Sequence, residues 1–139
     1  MYKFIIPVLV FFCVQVFLYD IPLDVIGKDE LECLKNEKLS LDDIINYLDE
    51  KFYLPEDNTD VNTFFEKSVK CKFYVQDGKV IKHLLERLIK TSYLRILKRE
   101  DIEESVPNIA EKCIHINNEN LAVRLVKVHN CVVHAIHDL

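Results

Sequence analysis

The chain has 139 residues, 18 basic against 23 acidic side chains, and a formal net charge of −5. Half of its residues are hydrophobic, enough for one domain to bury a real core, while the mild acidity argues against nucleic acid or an anionic membrane surface as partners. Only two glycines and four prolines occur, which leaves little turn punctuation for a many-stranded sheet and makes helix the default.

The first element is a leader. Lys3 precedes an uncharged, mostly apolar run from Phe4 to Leu18 that Asp20 closes. A membrane helix takes about 20 apolar residues, so this shorter run, carrying Pro7 and Gln15, reads as a signal peptide over residues 1–19. Its removal leaves a domain over residues 20–139 that is secreted, extracellular and without stable membrane association. Cys13 leaves with the leader, and the mature chain keeps Cys33, Cys71, Cys113 and Cys131. An even set in a secreted chain points to two disulfides, with three pairings open.

Asp20 to Gly27 reads as an extended lead-in and Lys28 to Lys38 as a short helix. Ser40 and Asp43 form a capping-box variant ahead of Ile44, Ile45 and Leu48. Pro55 stops that helix, and a loop runs to Asp60. Thr59 or Asp60 caps the next helix, in which Val61, Phe64, Phe65 and Val69 share a face leading into Cys71. Gln76, Asp77 and Gly78 make a turn.

From Lys79 to Leu97 runs the strongest pattern, apolar over more than half the circumference, which predicts a helix in the middle of the bundle. Asp101 to Cys113 reads as a helix broken or begun around Pro107. The acidic cluster at Glu100 to Glu104 suits a helix N-terminus. Ile116 to Asn118 is a capped turn. Glu119 to Ile136 is the final helix, with a stripe of Leu121, Leu125, Val128, Val132 and Ile136 widened by Val126 and Val133.

A leader followed by about six helices, with cysteines in the first, at the end of the third, in the fifth and in the sixth, resembles the insect odorant-binding proteins. The family's second cysteine falls at Lys67 and its fifth at Ala122. Those two bond to each other in the family, so one whole bridge is missing, as in the reduced "C-minus" subgroup. The resemblance implies pairing of Cys33 with Cys71 and of Cys113 with Cys131. It implies an all-α bundle enclosing an apolar cavity, and a carrier of a small hydrophobic molecule such as an odorant, pheromone or lipid. It allows a monomer or homodimer and an olfactory receptor as a further partner. The segment after Cys71 and the tail after Cys131 are both shorter than is usual in the family.

Of the aromatic residues Tyr47, Phe52, Tyr53, Phe64, Phe65, Phe73, Tyr74 and Tyr93, any one is first of all a core residue; as a group they suit a cavity wall. The ligand-binding set expected from helix position is Tyr47, Tyr53, Phe64, Phe65, Leu84, Leu88, Tyr93, Val126 and Val133, around the third, fourth and sixth helices. His115, His129, His134 and His137 crowd the last quarter and read as solvated side chains on a helix's polar side. No metal site, cofactor or catalytic residue is expected: there is no phosphate-binding glycine loop, no nucleophile elbow and no carboxylate pair set apart from charged helix faces. The rival reading is a secreted salivary, venom or seminal interaction protein with a filled core and a macromolecular partner.

Overall fold

The structure, a computed structural model, describes residues 26–139; the leader and most of the lead-in lie outside the described residues. Helix α1 spans Lys28–Asn36, with Asp29 and Glu30 in its first turn and Lys35 in its last, both complementing the helix dipole. A short helix α2, Asp42–Ile45, starts at the Ser40 box: the Ser40 N–H donates to Asp43 at 3.0 Å and the Ser40 hydroxyl accepts from the Asp42 N–H at 3.2 Å. Helix α3 spans Thr59–Ser68 and continues as a 3-10 turn through Cys71. Its cap is Asn58, whose side chain accepts from the Val61 N–H at 3.1 Å, rather than the expected Thr59 or Asp60.

Lys79 and Val80, expected in the helix, instead form β2, which pairs antiparallel with β1, Val75–Gln76. The cause is the Asp77-Gly78 turn, in which both residues take positive φ, 53° and 76°. Two such residues make the hairpin turn whose twist matches a strand pair. The helix then runs as α4, Lys82–Leu88, through a π-helical turn, Ile89–Tyr93, into α5, Leu94–Ile96. Within it the Thr91 hydroxyl donates to the Arg87 carbonyl at 2.9 Å, a side-chain intrusion into the helical ladder of the kind that accompanies bends. The wider turn directs Ile89, Ser92 and Tyr93 inward together.

A 3-10 stretch, Glu100–Ser105, carries the acidic cluster and leads into α6, Val106–Cys113, with Pro107 in its first turn, where a missing N–H costs nothing. Asn120 caps the last helix, α7, Leu121–His137, by accepting from the Val123 N–H at 3.1 Å. The most enclosed helix is α7 rather than the 79–97 segment. Ala122, Leu125, Val126, Val128, His129, Val132, Val133, Ala135 and Ile136 are all buried, so it is covered on most sides.

The disulfides join Cys33 to Cys71 and Cys113 to Cys131, with Cα separations of 5.6 and 5.7 Å. The first ties α1 to the end of α3, the second α6 to α7. With few glycines available, lysines end two helices: Lys38 and Lys98 have φ of 60° and 57°. In each case the next residue's N–H reaches back five positions, Leu39 to Leu34 and Arg99 to Leu94, at 2.8 Å. Those are Schellman endings with lysine where glycine is usual.

Candidate functional site

Between α2, α3, the hairpin, the π turn and α7 lies an apolar pocket of about 170 Å³. Its walls are aliphatic and aromatic: Ile44, Ile45 and Leu48 on one side, Phe64 and Phe65 from α3, Leu88, Tyr93 and Ile96 from the long helix, and Leu125 from α7. Phe52, Leu54, Phe73 and Tyr74 also line it, and Ser68, Ser92 and His129 add polar groups. Among the described residues no acidic, lysine or arginine side chain lines it.

Of the expected set, Phe64, Phe65, Leu88 and Tyr93 meet in this pocket; the others do not. Val126 is fully buried and packs with Leu54 and Val61 in a separate small cluster, and Val133 is fully buried in the main core. Both point into packed helix interfaces, which periodicity does not distinguish from a cavity wall. Tyr47 lies on an exposed groove, donating its hydroxyl to Asp60. Tyr53 sits outside, its hydroxyl 3.3 Å from His134 Nδ1. Leu84 lines a separate recess bordered by Glu30 and Arg87, whose ion pair measures 3.8 Å.

The pocket's polar component centres on His129. It is 7% exposed, not solvated as expected, and burial pushes its pKa down to about 4. The ring is neutral near pH 7. Its Nε2 lies 2.8 Å from the Phe52 carbonyl, which only accepts, so Nε2 carries the hydrogen. Nδ1 is then an acceptor and takes the hydrogen of the Tyr93 hydroxyl at 2.8 Å. The sequence held a signal for this: His129 stands four positions after Leu125 and three before Val132, on the apolar stripe. His115, His134 and His137 are exposed, as expected.

Phe52 reaches the pocket from a strap between α2 and α3 that Asp49 shapes. Asp49 Oδ1 accepts from the Lys51 and Tyr53 N–H groups at 2.8 and 2.9 Å, and the Asp49 N–H donates to the Tyr53 carbonyl at 3.0 Å. Phe52 takes φ of 75°, a left-handed conformation costly for a side chain with a Cβ. The strap is fastened along α7. Asn130 accepts from the Leu54 N–H and donates to the Leu54 carbonyl, each at 2.9 Å, and Lys127 pairs with Glu56 at 2.8 Å. His137 Nε2 meets the Lys51 carbonyl at 2.7 Å. These bonds hold the strap, and with it Phe52 and Leu54 of the pocket wall, against α7.

Tyr74 is different from every other polar group here. It is 6% exposed, and its buried hydroxyl has no hydrogen-bond partner among the described residues. Leaving such a group unpaired costs about 1–3 kcal/mol. Burial raises its pKa strongly, so it stays a neutral phenol.

Compared with known protein families, with characterised proteins and with solved structures, the chain matches none.

Proposed function

We propose that the protein is a secreted carrier that holds a small hydrophobic molecule in the pocket between α3, the π turn and α7 and moves it through an aqueous fluid, in the manner of the odorant-binding family its cysteine layout resembles. The observation that carries this reading is an apolar pocket within a bundle that otherwise packs two dense clusters. A pocket of this volume compares with an engineered apolar cavity of about 150 Å³ that takes benzene, so an odorant-sized molecule fits it. Two disulfides suit an oxidising extracellular compartment. An olfactory receptor would be a downstream partner.

Displacement of an apolar fluorescent probe by a panel of small volatiles tests the proposal. Micromolar capture that is lost when Leu125→Trp fills the pocket supports it. A folded protein that binds no member of the panel would instead favour the interaction-protein reading.

A further inference from the structure

Helix α1 is anchored in its second half. Leu34 is its one buried side chain, and the Cys33–Cys71 bridge lies beside it. From Gly27 to Glu32 every residue is exposed or half-buried. The Glu30–Arg87 pair ties this first turn to α4, with the Arg87 side chain 64% exposed, and an ion pair so exposed holds weakly. Glu30 has an alternative to Arg87 at the positive end of its own helix, because its carboxylate folds back over Gly27, where a Cβ would collide with it. A nine-residue helix is too short to persist on its own, so its unburied end lifts at little cost.

That end stands between two cavities. The recess beside Leu84, of about 280 Å³, reaches Arg87 and Thr91 and shares Ile26, Phe73 and Leu88 with the apolar pocket. Among the described residues these three side chains are the common wall, and all are half-buried. Leu88 belongs to α4 and Phe73 adjoins the hairpin, whereas Ile26 leads directly into α1. We propose that the first turn of α1, latched by the Glu30–Arg87 pair, is a movable wall of the pocket. When it lifts, with Cys33 held to Cys71 as the pivot, Ile26 withdraws and the recess joins the pocket. The protein then accepts a molecule too long for the pocket alone. This rests on the carrier reading and adds to it the element that sets the upper size of the cargo.

Benzene, which fits the pocket, and hexylbenzene, which overfills it, test the proposal in the oxidised protein. Carbon-13 benzene reports its own binding by NMR and its displacement by hexylbenzene. The expected result is that hexylbenzene displaces benzene, with nuclear Overhauser contacts from its ring to Leu125 in the pocket and from its terminal methyl to Leu84 in the recess. Thr91→Trp, at an exposed position on the recess, should weaken hexylbenzene about tenfold or more and leave benzene unchanged. Arg87→Gln should tighten hexylbenzene alone, by about two- to fivefold. Raising salt to about 1 M should do the same to the wild type and nothing further to that variant. Lys82→Gln, which breaks the exposed pair of α4 with Glu111 at 3.1 Å, should change neither ligand. Hexylbenzene that fails to displace benzene, or that binds without reaching Leu84 and is indifferent to Thr91→Trp, would overturn the movable wall and leave the carrier reading standing. Equal affinity of hexylbenzene for the wild type and Arg87→Gln would overturn the latch. Failure of both hydrocarbons to bind the folded protein would overturn the carrier reading and this inference together.

Discussion

His129 Nε2 donates to the Phe52 carbonyl at 2.8 Å across 77 positions of sequence, joining the middle of the last helix to the one residue of the strap with a left-handed backbone. That bond fixes the histidine's tautomer, and the tautomer fixes what Tyr93 does. The pocket wall and the strap are therefore one hydrogen-bonded unit. Its strength depends on pH because its centre titrates.

The sign follows from the direction of the shift. His129 has a folded pKa of about 4, below the ordinary imidazole value of about 6.5, because burial opposes the charged form. Protons therefore favour the unfolded chain. The stability that depends on neutral His129 is complete above pH 6.5 and is lost as pH falls from 6.5 towards 4, by about 3 kcal/mol in all. Glu56, Asp101 and Glu111 have carboxyl pKa values lowered by their partners and add losses only at more acid pH. Urea unfolding at pH 7.5, 6 and 5 should show the decline, and His129→Gln should flatten it over that range. An NMR titration that placed His129 near pH 6.5 would sink the account.

Asn130 supplies the second fastening. Both ends of its amide bond the Leu54 backbone at 2.9 Å, so Asn130→Ala leaves a part-buried N–H and carbonyl unpaired and should cost about 1–3 kcal/mol. Limited proteolysis should then cut first between residues 49 and 57. Asn130→Asp keeps the acceptor, loses the donor and places a carboxylate near Glu56, which stands 3.4 Å from the amide. Its damage should shrink at acid pH, unlike that of the alanine variant.

Much of this architecture was legible in the sequence, and the misses have physical reasons. The helical periods of α3 and α7, the Asp77-Gly78 turn and the Ser40 box are local signals, and local physics carried them through. Lys79 and Val80 went into strands because the hairpin turn outweighed a helical apolar pattern by fixing two dihedrals at once. Which faces of α7 meet a pocket and which meet a packed neighbour is a tertiary fact: Val126 and Val133 satisfy the same periodicity as Leu125, yet only Leu125 lines the pocket. The strap was not readable at all, since its shape comes from Asp49 side-chain bonds and an unmarked left-handed phenylalanine.

The two bridges should differ in weight. In the chain-entropy account the Cys33–Cys71 bridge, separation 38, contributes about 4 kcal/mol and the Cys113–Cys131 bridge, separation 18, about 3. Replacing Cys33 and Cys71 with alanine should lower the melting temperature more than replacing Cys113 and Cys131, unless packing intervenes. Cys113 is fully buried, and an excess loss in the second pair beyond about 3 kcal/mol would measure that packing.

The left-handed residues give the last test. Lys38 and Lys98 are exposed and carry a Cβ at helix ends where glycine is unstrained. Lys38→Gly and Lys98→Gly should each stabilise the protein, by up to about 1 kcal/mol, although glycine usually destabilises. Phe52 shares their backbone but not their exposure. Its ring is 5% exposed and meets the Tyr93 ring edge-on at 6.1 Å, so any truncation removes core contacts. Phe52→Ala should cost about 3–5 kcal/mol. Phe52→Gly removes the same ring and one methyl group more, yet relieves the φ of 75°, and should be the less damaging of the two. Chemical denaturation of the two variants decides the matter: a glycine variant less stable than the alanine one would show that the strap holds Phe52 without strain.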